Sequence, residues 1–278
     1  MNCKFSVAMS VYKNDVPEYF DRALSSITDK QTVKPDEIIL VVDGPVSEGI
    51  DIIIDRYTQE YQIFKVIRLP ENKGLGNALC VALAETSNDI VARMDSDDIS
   101  LPDRFEQQLS YFELHPEIDV IGGDITEFIE AENKTEAKRA VPCTDAEIKE
   151  YLKTRCPMNH VSVMYRKTAV MKAGGYKDLF WNEDYYLWIR MYLSGAVFAN
   201  TGTVLVNVRT GEDMYARRGG IKYYKSERFL QKLMLKNKMI GIWTYIMNCS
   251  KRFIVQVLMP RGIRKWVFKH FARKKIES

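Results

Sequence analysis

Along the first hundred positions, short apolar runs alternate with stretches in which apolar residues recur every three or four positions. Lys4–Tyr12, Glu37–Val42, Phe64–Leu69 and Ile90–Met94 are runs of the first kind, with the length and β-branched content of buried strands. Val16–Ile27, Ile50–Tyr61 and Leu75–Ala84 have the period of amphipathic helices. Asp15 and Pro17 stand where the first helix begins, and proline in a first turn forfeits no hydrogen bond. Asp43-Gly44-Pro45 closes the second strand with a turn. Strands alternating with helices predict an α/β fold of βα units, with a parallel sheet covered on both faces. Ligands in such sheets bind beyond the carboxyl ends of the strands. Ser10–Lys13, Asp43–Pro45 and Asp95–Asp98 are therefore the segments to weigh.

The second half is less regular. Pro102–His115 predicts a helix, and Asp119–Val141 breaks into short apolar runs that read as strands of mixed direction. Lys149–Arg155 and Lys167–Ala173 read as helices, the latter stopped by Gly174-Gly175, with a strand over Val161–Tyr165. Residues 185–194 have helical spacing, Val197–Val208 gives one or two strands, and Ile221–Lys238 a long helix. No repeat, low-complexity tract or linker interrupts the pattern. One α/β domain over residues 1–238, followed by a helical appendage over 239–278, is the expected organisation.

Composition narrows the class. With 278 residues, 46% of them hydrophobic and 11% aromatic, the chain can bury a substantial core. Cys3, Cys80, Cys143, Cys156 and Cys249 are scattered without C-x-x-C spacing, which argues against a disulfide framework or zinc site and fits a reducing compartment. No signal-like segment opens the chain, and no apolar stretch reaches the length of a membrane span. A cytoplasmic or cytoplasm-facing protein is expected. The net charge of +3 conceals an asymmetry: residues 251–278 carry nine Lys or Arg against Glu277 alone.

Asp95-Ser96-Asp97-Asp98 follows the run Ile90–Met94 directly. Three carboxylates so close repel one another unless a cation is present, and their hard oxygens suit Mg²⁺ or Mn²⁺. Such an ion would neutralise the charge on a departing nucleoside diphosphate. An acidic turn capping the helix near Pro102 is the plainer explanation, and these four residues alone do not separate the two.

Their surroundings do. From Lys4 to Phe105 the chain resembles the family-2 glycosyltransferases, whose catalytic domain has the GT-A fold. Ser6–Tyr12 looks like the opening strand and nucleotide-contacting turn of that family, and Ile38–Asp43 like its second strand, ending in a base-binding aspartate. Glu71–Ala78 resembles its asparagine–glycine segment. Ala92–Asp98 resembles its D-x-D metal motif, and Leu101–Phe105 the usual continuation. The five pieces occur in the family's order and spacing. Gly74-Leu75-Gly76 does not make a dinucleotide-binding loop, because Leu79 stands where the third glycine belongs and the segment precedes the fourth strand.

The resemblance implies a nucleotide-binding half over about 1–105 and an acceptor half over about 106–238. It implies inverting transfer of one sugar from a nucleotide-diphosphate donor, most simply a UDP-sugar, with Mn²⁺ or Mg²⁺ as cofactor. Donor contacts would come from Ser10, Tyr12, Asp43, Lys73, Gly74, Arg93, Asp95 and Asp98, and the metal would sit on Asp97 and Asp95. Each has a plainer alternative: Tyr12 as half-buried packing, Asp43 as a turn aspartate, Gly74 as a structural turn. In Trp181–Arg190 the chain looks like the family's E-D motif and Leu-Trp-x-Arg helix, which makes Asp184 the general base and Glu183 the next candidate. As cap residues the two would need no chemistry.

Pro157-x-x-His160 and Arg217-Arg218-Gly219-Gly220 are similar to segments of the exopolysaccharide and O-antigen glycosyltransferases, of the amylovoran type. They put His160, Arg217 and Arg218 on the acceptor or phosphate side, with a structural histidine and a solvated basic turn as alternatives. The Q-x-x-R-W motif and membrane spans of processive synthases are missing, which favours single additions. The implied acceptor is a sugar on a polyprenyl pyrophosphate. The tail, with Trp266, Phe268 and Phe271 among its cations, reads as an amphipathic segment for an anionic membrane surface. A helix packed on the catalytic domain is its alternative. Nucleic acid is not expected as a partner, since no recognition fold accompanies the charge. The enzyme would then lie peripherally on the cytoplasmic face of the inner membrane. A nucleotidyltransferase would need a basic, glycine-rich loop after its first strand, which Tyr12–Pro17 lacks. A non-catalytic nucleotide-sugar-binding protein would have no need of Asp95–Asp98 together with Asp184.

Overall fold

The computed structural model describes residues 3–211, 219–260, 262–263 and 274–275. In chain order the elements begin β1 (Phe5–Val11), α1 (Pro17–Ile27), β2 (Glu37–Val42), α2 (Glu48–Glu60), β3 (Phe64–Arg68), α3 (Leu75–Glu85) and β4 (Ile90–Met94). The chain continues through β5 (Ile99–Ser100), α4 (Arg104–Leu114), β6 (Val120–Phe128), β7 (Thr135–Arg139), α5 (Asp145–Leu152), β8 (Met164–Arg166) and α6 (Lys167–Lys172). It closes with α7 (Glu183–Leu193), β9 (Phe198–Arg209), α8 (Ile221–Lys236), α9 (Ile242–Phe253), a π-helical turn (Ile254–Leu258) and β10 (Lys274–Lys275).

These strands form one mixed sheet in the order β10-β7-β6-β8-β4-β1-β2-β3, with β9 paired to β6 and β5 paired to β9. The four strands of the first half are parallel, β4–β1–β2–β3, as the βα alternation predicts. β8 joins β4 antiparallel, and β6 joins β8 antiparallel, so the sheet changes direction beside β4. Side chains alternate across it. Val7, Met9 and Leu40 pack against Phe20, Leu24, Ile54, Phe105 and Leu109 on one face. Ala8, Ile39, Val41 and Val91 pack against Leu79, Leu83, Trp188 and Leu230 on the other. Each such aliphatic or aromatic side chain contributes about 1.5–3 kcal/mol on burial, which makes these two layers the main source of stability.

Several boundaries differ from the sequence reading. Val197–Val208 resolves into one long strand, β9. The helix expected over Lys149–Arg155 begins at Asp145, because Thr144 accepts from the Glu147 N–H while the Glu147 carboxylate accepts from the Thr144 N–H. In place of a strand from Val161, a 3₁₀ turn over His160–Ser162 precedes β8. The two-residue β5 carries no local periodicity and exists only through its pairing with Asn207 and Val206.

After α8 the chain turns back as α9, which packs on α8 rather than standing apart from the domain. Asn248 donates to the Lys153 carbonyl (3.1 Å) and to Gln231 (2.9 Å). Arg252 forms an ion pair with the buried Glu227 and donates to the Thr154 carbonyl (2.6 Å). The Gly220 N–H donates to the Gln256 carbonyl in the π turn (2.8 Å). β10 lies antiparallel to β7, with Lys274 opposite Lys138. Among the described residues no helix is long and apolar enough to cross a membrane. Arg217, Arg218, Trp266, Phe268 and Phe271 lie outside the described residues.

Candidate active site

The three segments singled out by the topology do meet at the carboxyl ends of β1, β2 and β4. At the end of β2, Asp43 is buried and its carboxylate accepts from the backbone N–H groups of Lys73 (2.7 Å) and Gly74 (2.9 Å). Asn72 donates its side-chain amide to the Asp43 carbonyl (3.2 Å). Gly44 has φ +86°, and a Cβ there would stand 2.6 Å from the Asn72 nitrogen, so only glycine lets these two turns close on each other. Gly74 has φ +85° and ψ 159°, a conformation essentially reserved for glycine, and from it α3 sets off. Lys73 is exposed, Tyr12 is 36% exposed at the end of β1, and Ser10 is half-buried.

Beyond β4, Asp95 and Asp97 are partly exposed while Asp98 is buried. The Arg93 guanidinium, itself buried, grips both oxygens of Asp95. Burial works against the charge of Arg93, but the Asp95 carboxylate more than offsets it and raises the guanidinium's pKa. Both terminal nitrogens of Arg93 are engaged by Asp95, while its buried Nε has no partner among the described residues. Its carbonyl accepts from the buried Arg104 (2.7 Å), whose Nε donates to Gln108 (3.1 Å). Asp98 accepts from the Arg209 N–H (2.8 Å), tying the cluster to β9. Burial, with repulsion from Asp97 and Asp95, pushes Asp98 well above the usual carboxylate range. Asp97 rises to about 6 through burial, then the charges of Asp95 and Asp15.

Asp15 belongs to this cluster although sequence reading took it only for a helix-start residue. It accepts from the Tyr12 N–H (2.9 Å) and the Ser96 hydroxyl (2.8 Å), and burial raises its pKa. An aspartate three residues beyond a strand's end is also the pattern of an ordinary turn, so nothing local marked it.

Across the cleft, α7 begins at Glu183. Trp181 just before it has φ +57°, and Asn182 donates to Ser226 on α8 (2.7 Å). Asp184 accepts from the Tyr185 N–H (2.6 Å) and from the Cys156 thiol (3.6 Å). Burial raises Asp184, and burial plus the Asp184 charge lifts Glu183 to about 7. These two titrate as a pair. The first turn of α3 abuts them, since a Cβ on Gly76 would lie 3.5 Å from Glu183 Cβ. The Arg93 charge favours the ionised forms of Asp97, Asp98, Glu183 and Asp184 alike. His160 is held otherwise: its Nε2 lies 3.0 Å from the Tyr176 hydroxyl, its ring meets Trp188 edge-on, and burial followed by Arg93 keeps it neutral.

A divalent cation fits this chemistry. The donors are carboxylate oxygens whose pKa values are raised partly by mutual repulsion, which a hard cation relieves. Among the described residues no three acidic, histidine or cysteine side chains converge as a complete cage. That suits Mg²⁺ or Mn²⁺ completing its shell with substrate phosphates.

Residues 6–180 match the profile of Glycosyl transferase family 2. AmsE of Erwinia amylovora, an amylovoran biosynthesis glycosyltransferase, is 41% identical over 237 residues, 85% of this chain and 88% of that protein. The Escherichia coli UDP-Gal:alpha-D-GlcNAc-diphosphoundecaprenol beta-1,3-galactosyltransferase is 35% identical over 271 residues, 98% of this chain and 97% of that protein. Among solved structures, S. aureus TarS 1–349 in complex with UDP-GlcNAc superposes with a TM-score of 0.68 at 19% identity, over 90% of this chain and 72% of that one.

Proposed function

The chain belongs to glycosyl transferase family 2 and has the GT-A fold, and from that premise we propose the reaction it performs. It transfers one sugar, with inversion, from a UDP-sugar to a sugar carried on a polyprenyl pyrophosphate, during assembly of a surface polysaccharide. The two relatives above support the acceptor class by what their names say of them. The observation that carries the reading is the carboxylate cluster Asp95–Asp98 after β4 together with Glu183–Asp184 at the start of α7, which abuts the first turn of α3.

Inverting transfer in one displacement needs the donor held with its leaving group on one side and a base on the other. Tyr12 and Ser10 offer a ring face and a hydroxyl to the base and ribose, and the Asn72–Gly74 loop braced by Asp43 borders the same space. Asp97, supported by Asp95 in the grip of Arg93, holds Mn²⁺ or Mg²⁺. The bound cation supplies Lewis acidity toward the diphosphate. Asp98 fixes the cluster to β9 from within. Asp184 takes the proton of the acceptor hydroxyl, and its raised pKa suits a base working near neutrality. Glu183 stands beside it, and is the second candidate for that proton. His160 shapes the acceptor wall as a neutral, packed ring. The basic tail holds the enzyme peripherally on anionic lipid at the cytoplasmic face of the inner membrane, where such acceptors are anchored.

A panel of UDP-sugars with a polyprenyl-pyrophosphate-linked acceptor and Mn²⁺ tests this. The expected result is metal-dependent release of UDP with one sugar added. Release of pyrophosphate would make the protein a nucleotidyltransferase. Tight UDP binding without turnover of any sugar would make it a binding protein.

A further inference from the structure

While α8 buries Leu230 and Met234 in the core, the helix packed on it, α9, turns a polar side inward and an apolar side outward. In α9 and the π turn, the buried positions are Asn248, Cys249 and Gln256. The exposed ones are Ile242 (53%), Trp243 (77%), Ile246 (43%), Met247 (53%), Ile254 (52%) and Leu258 (62%). At 3.6 residues per turn, the exposed apolar residues of α9 fall within an arc of about 140°. Burying an asparagine while leaving a tryptophan in water reverses the order in which side chains prefer the interior. The asparagine is anchored by its bonds to Lys153 and Gln231, so this orientation of the helix is set by specific partners.

The surroundings of the stripe are cationic. Lys222, Lys225, Arg228, Lys232, Lys236, Lys238 and Lys251 are all exposed. Among the described residues from 219 onward the one acidic side chain is Glu227, which is buried and paired with Arg252. All of this charge but Lys251 lies before the basic segment that sequence analysis singled out. An exposed apolar stripe with a large tryptophan, on a hairpin that carries seven exposed cations and no exposed carboxylate of its own, matches an anionic bilayer surface in both chemistry and charge. A second copy of this chain would bring the same seven cations against these, which disfavours self-association through the hairpin.

We propose that the α8–α9 hairpin is the membrane-inserting element of this enzyme, with Trp243, Ile246, Met247, Ile254 and Leu258 entering an anionic lipid surface. The proposal rests on the peripheral-membrane reading above and refines it: the hairpin supplies insertion and the tail adds charge. It also orients the reaction. Asn182 at the start of α7 is bonded to Ser226 on α8, so a hairpin seated on lipid brings the Asp184 segment close to the plane that carries a lipid-linked acceptor.

The test is sedimentation of the full-length protein with vesicles of neutral phosphatidylcholine, or of phosphatidylcholine with phosphatidylglycerol, across a salt series. Binding of UDP checks folding of each variant. The expected result is that wild type binds the anionic vesicles and keeps part of that binding at high salt. W243S/I246S/M247S loses the salt-resistant part, with affinity falling about tenfold or more. K225Q/K232Q/K236Q weakens binding at low salt and leaves the salt-resistant part in place. If W243S/I246S/M247S binds at high salt as wild type does, the hairpin is not the inserting element, while the peripheral-membrane reading stands on the tail. If wild type ignores anionic vesicles even at low salt, that reading itself falls. If the triple serine variant turns a wild-type dimer into a monomer and leaves vesicle binding unchanged, the stripe is an interface between copies and the proposal is overturned.

Discussion

The two carboxylate groups that meet at the head of the sheet are held in opposite ways. On the donor side, charge is answered by charge: Arg93 grips Asp95, and Arg104 backs Arg93 through its carbonyl. On the acceptor side Asp184 is held by neutral donors, a backbone N–H and a thiol. A carboxylate clasped by a guanidinium is fixed in place, as a ligand must be. One kept in a partly buried site by weak neutral donors stays closer to protonation, as a base must. The contrast separates a binding end from a reacting end within one cleft.

Breaking the donor end should cost most. Asp97→Ala is expected to abolish the metal dependence of UDP binding and lower turnover about a thousandfold, the scale for losing a preorganised electrostatic contact. Calorimetry of UDP with and without Mn²⁺ reads it, and unchanged metal-dependent binding would remove Asp97 from the metal site. Asp184→Asn should leave that calorimetry nearly untouched while turnover falls about a hundredfold, as expected for a general base. Parallel losses in binding and turnover would instead make Asp184 structural. Sharpening the contrast further, Cys156→Ala removes one neutral donor that favours the ionised form of Asp184. Turnover should fall about fivefold below neutrality and recover as pH rises, the worth of one modest hydrogen bond. A uniform loss across the pH profile would exclude this role.

The smallest effect is on stability. Folding raises Asp97 to about 6 from an ordinary value near 3.8. The folded state then binds more protons than the unfolded one between those values, so this group's contribution to stability declines as pH rises through that window. Mn²⁺ offsets the cost of burying that charge and relieves its repulsion by Asp95 and Asp15. Thermal melts should show a metal-induced gain of a few degrees that grows from pH 5 to pH 7, about the size of a 1 kcal/mol effect in a chain of this length. A gain independent of pH would place the metal elsewhere.

Much of this was legible in the chain. β2 and β4 have the bounds that their apolar runs predict, because a central strand buried on both faces is predominantly apolar, Arg93 being the charged exception in β4. The Asp95–Asp98 cluster announces itself because its members are adjacent. What escaped depends on distant partners. β5 is made by β9, Asp15 joins the site through Ser96, and Cys156 reaches Asp184 only once α5 and α7 are packed. α9 is the sharpest case. Its amphipathic pattern was plain, but which face turns inward is decided by Gln231 and the Lys153 carbonyl waiting for Asn248, and by Glu227 waiting for Arg252. Arg93 also changes its part, from a candidate for the diphosphate to the clasp on Asp95.

The bonds from Lys73 and Gly74 to Asp43 carry a thermodynamic consequence. They fix the backbone of the Asn72–Gly74 loop when the protein folds, together with the close approach of Gly44 to Asn72. A nucleotide arriving at this loop therefore meets peptide groups whose conformational freedom is already gone, and the ordering entropy that a mobile loop would subtract from affinity is absent. If the donor binds where proposed above, its affinity would depend on Asp43 through the disorder that Asp43 suppresses, whether or not its carboxylate ever touches the nucleotide.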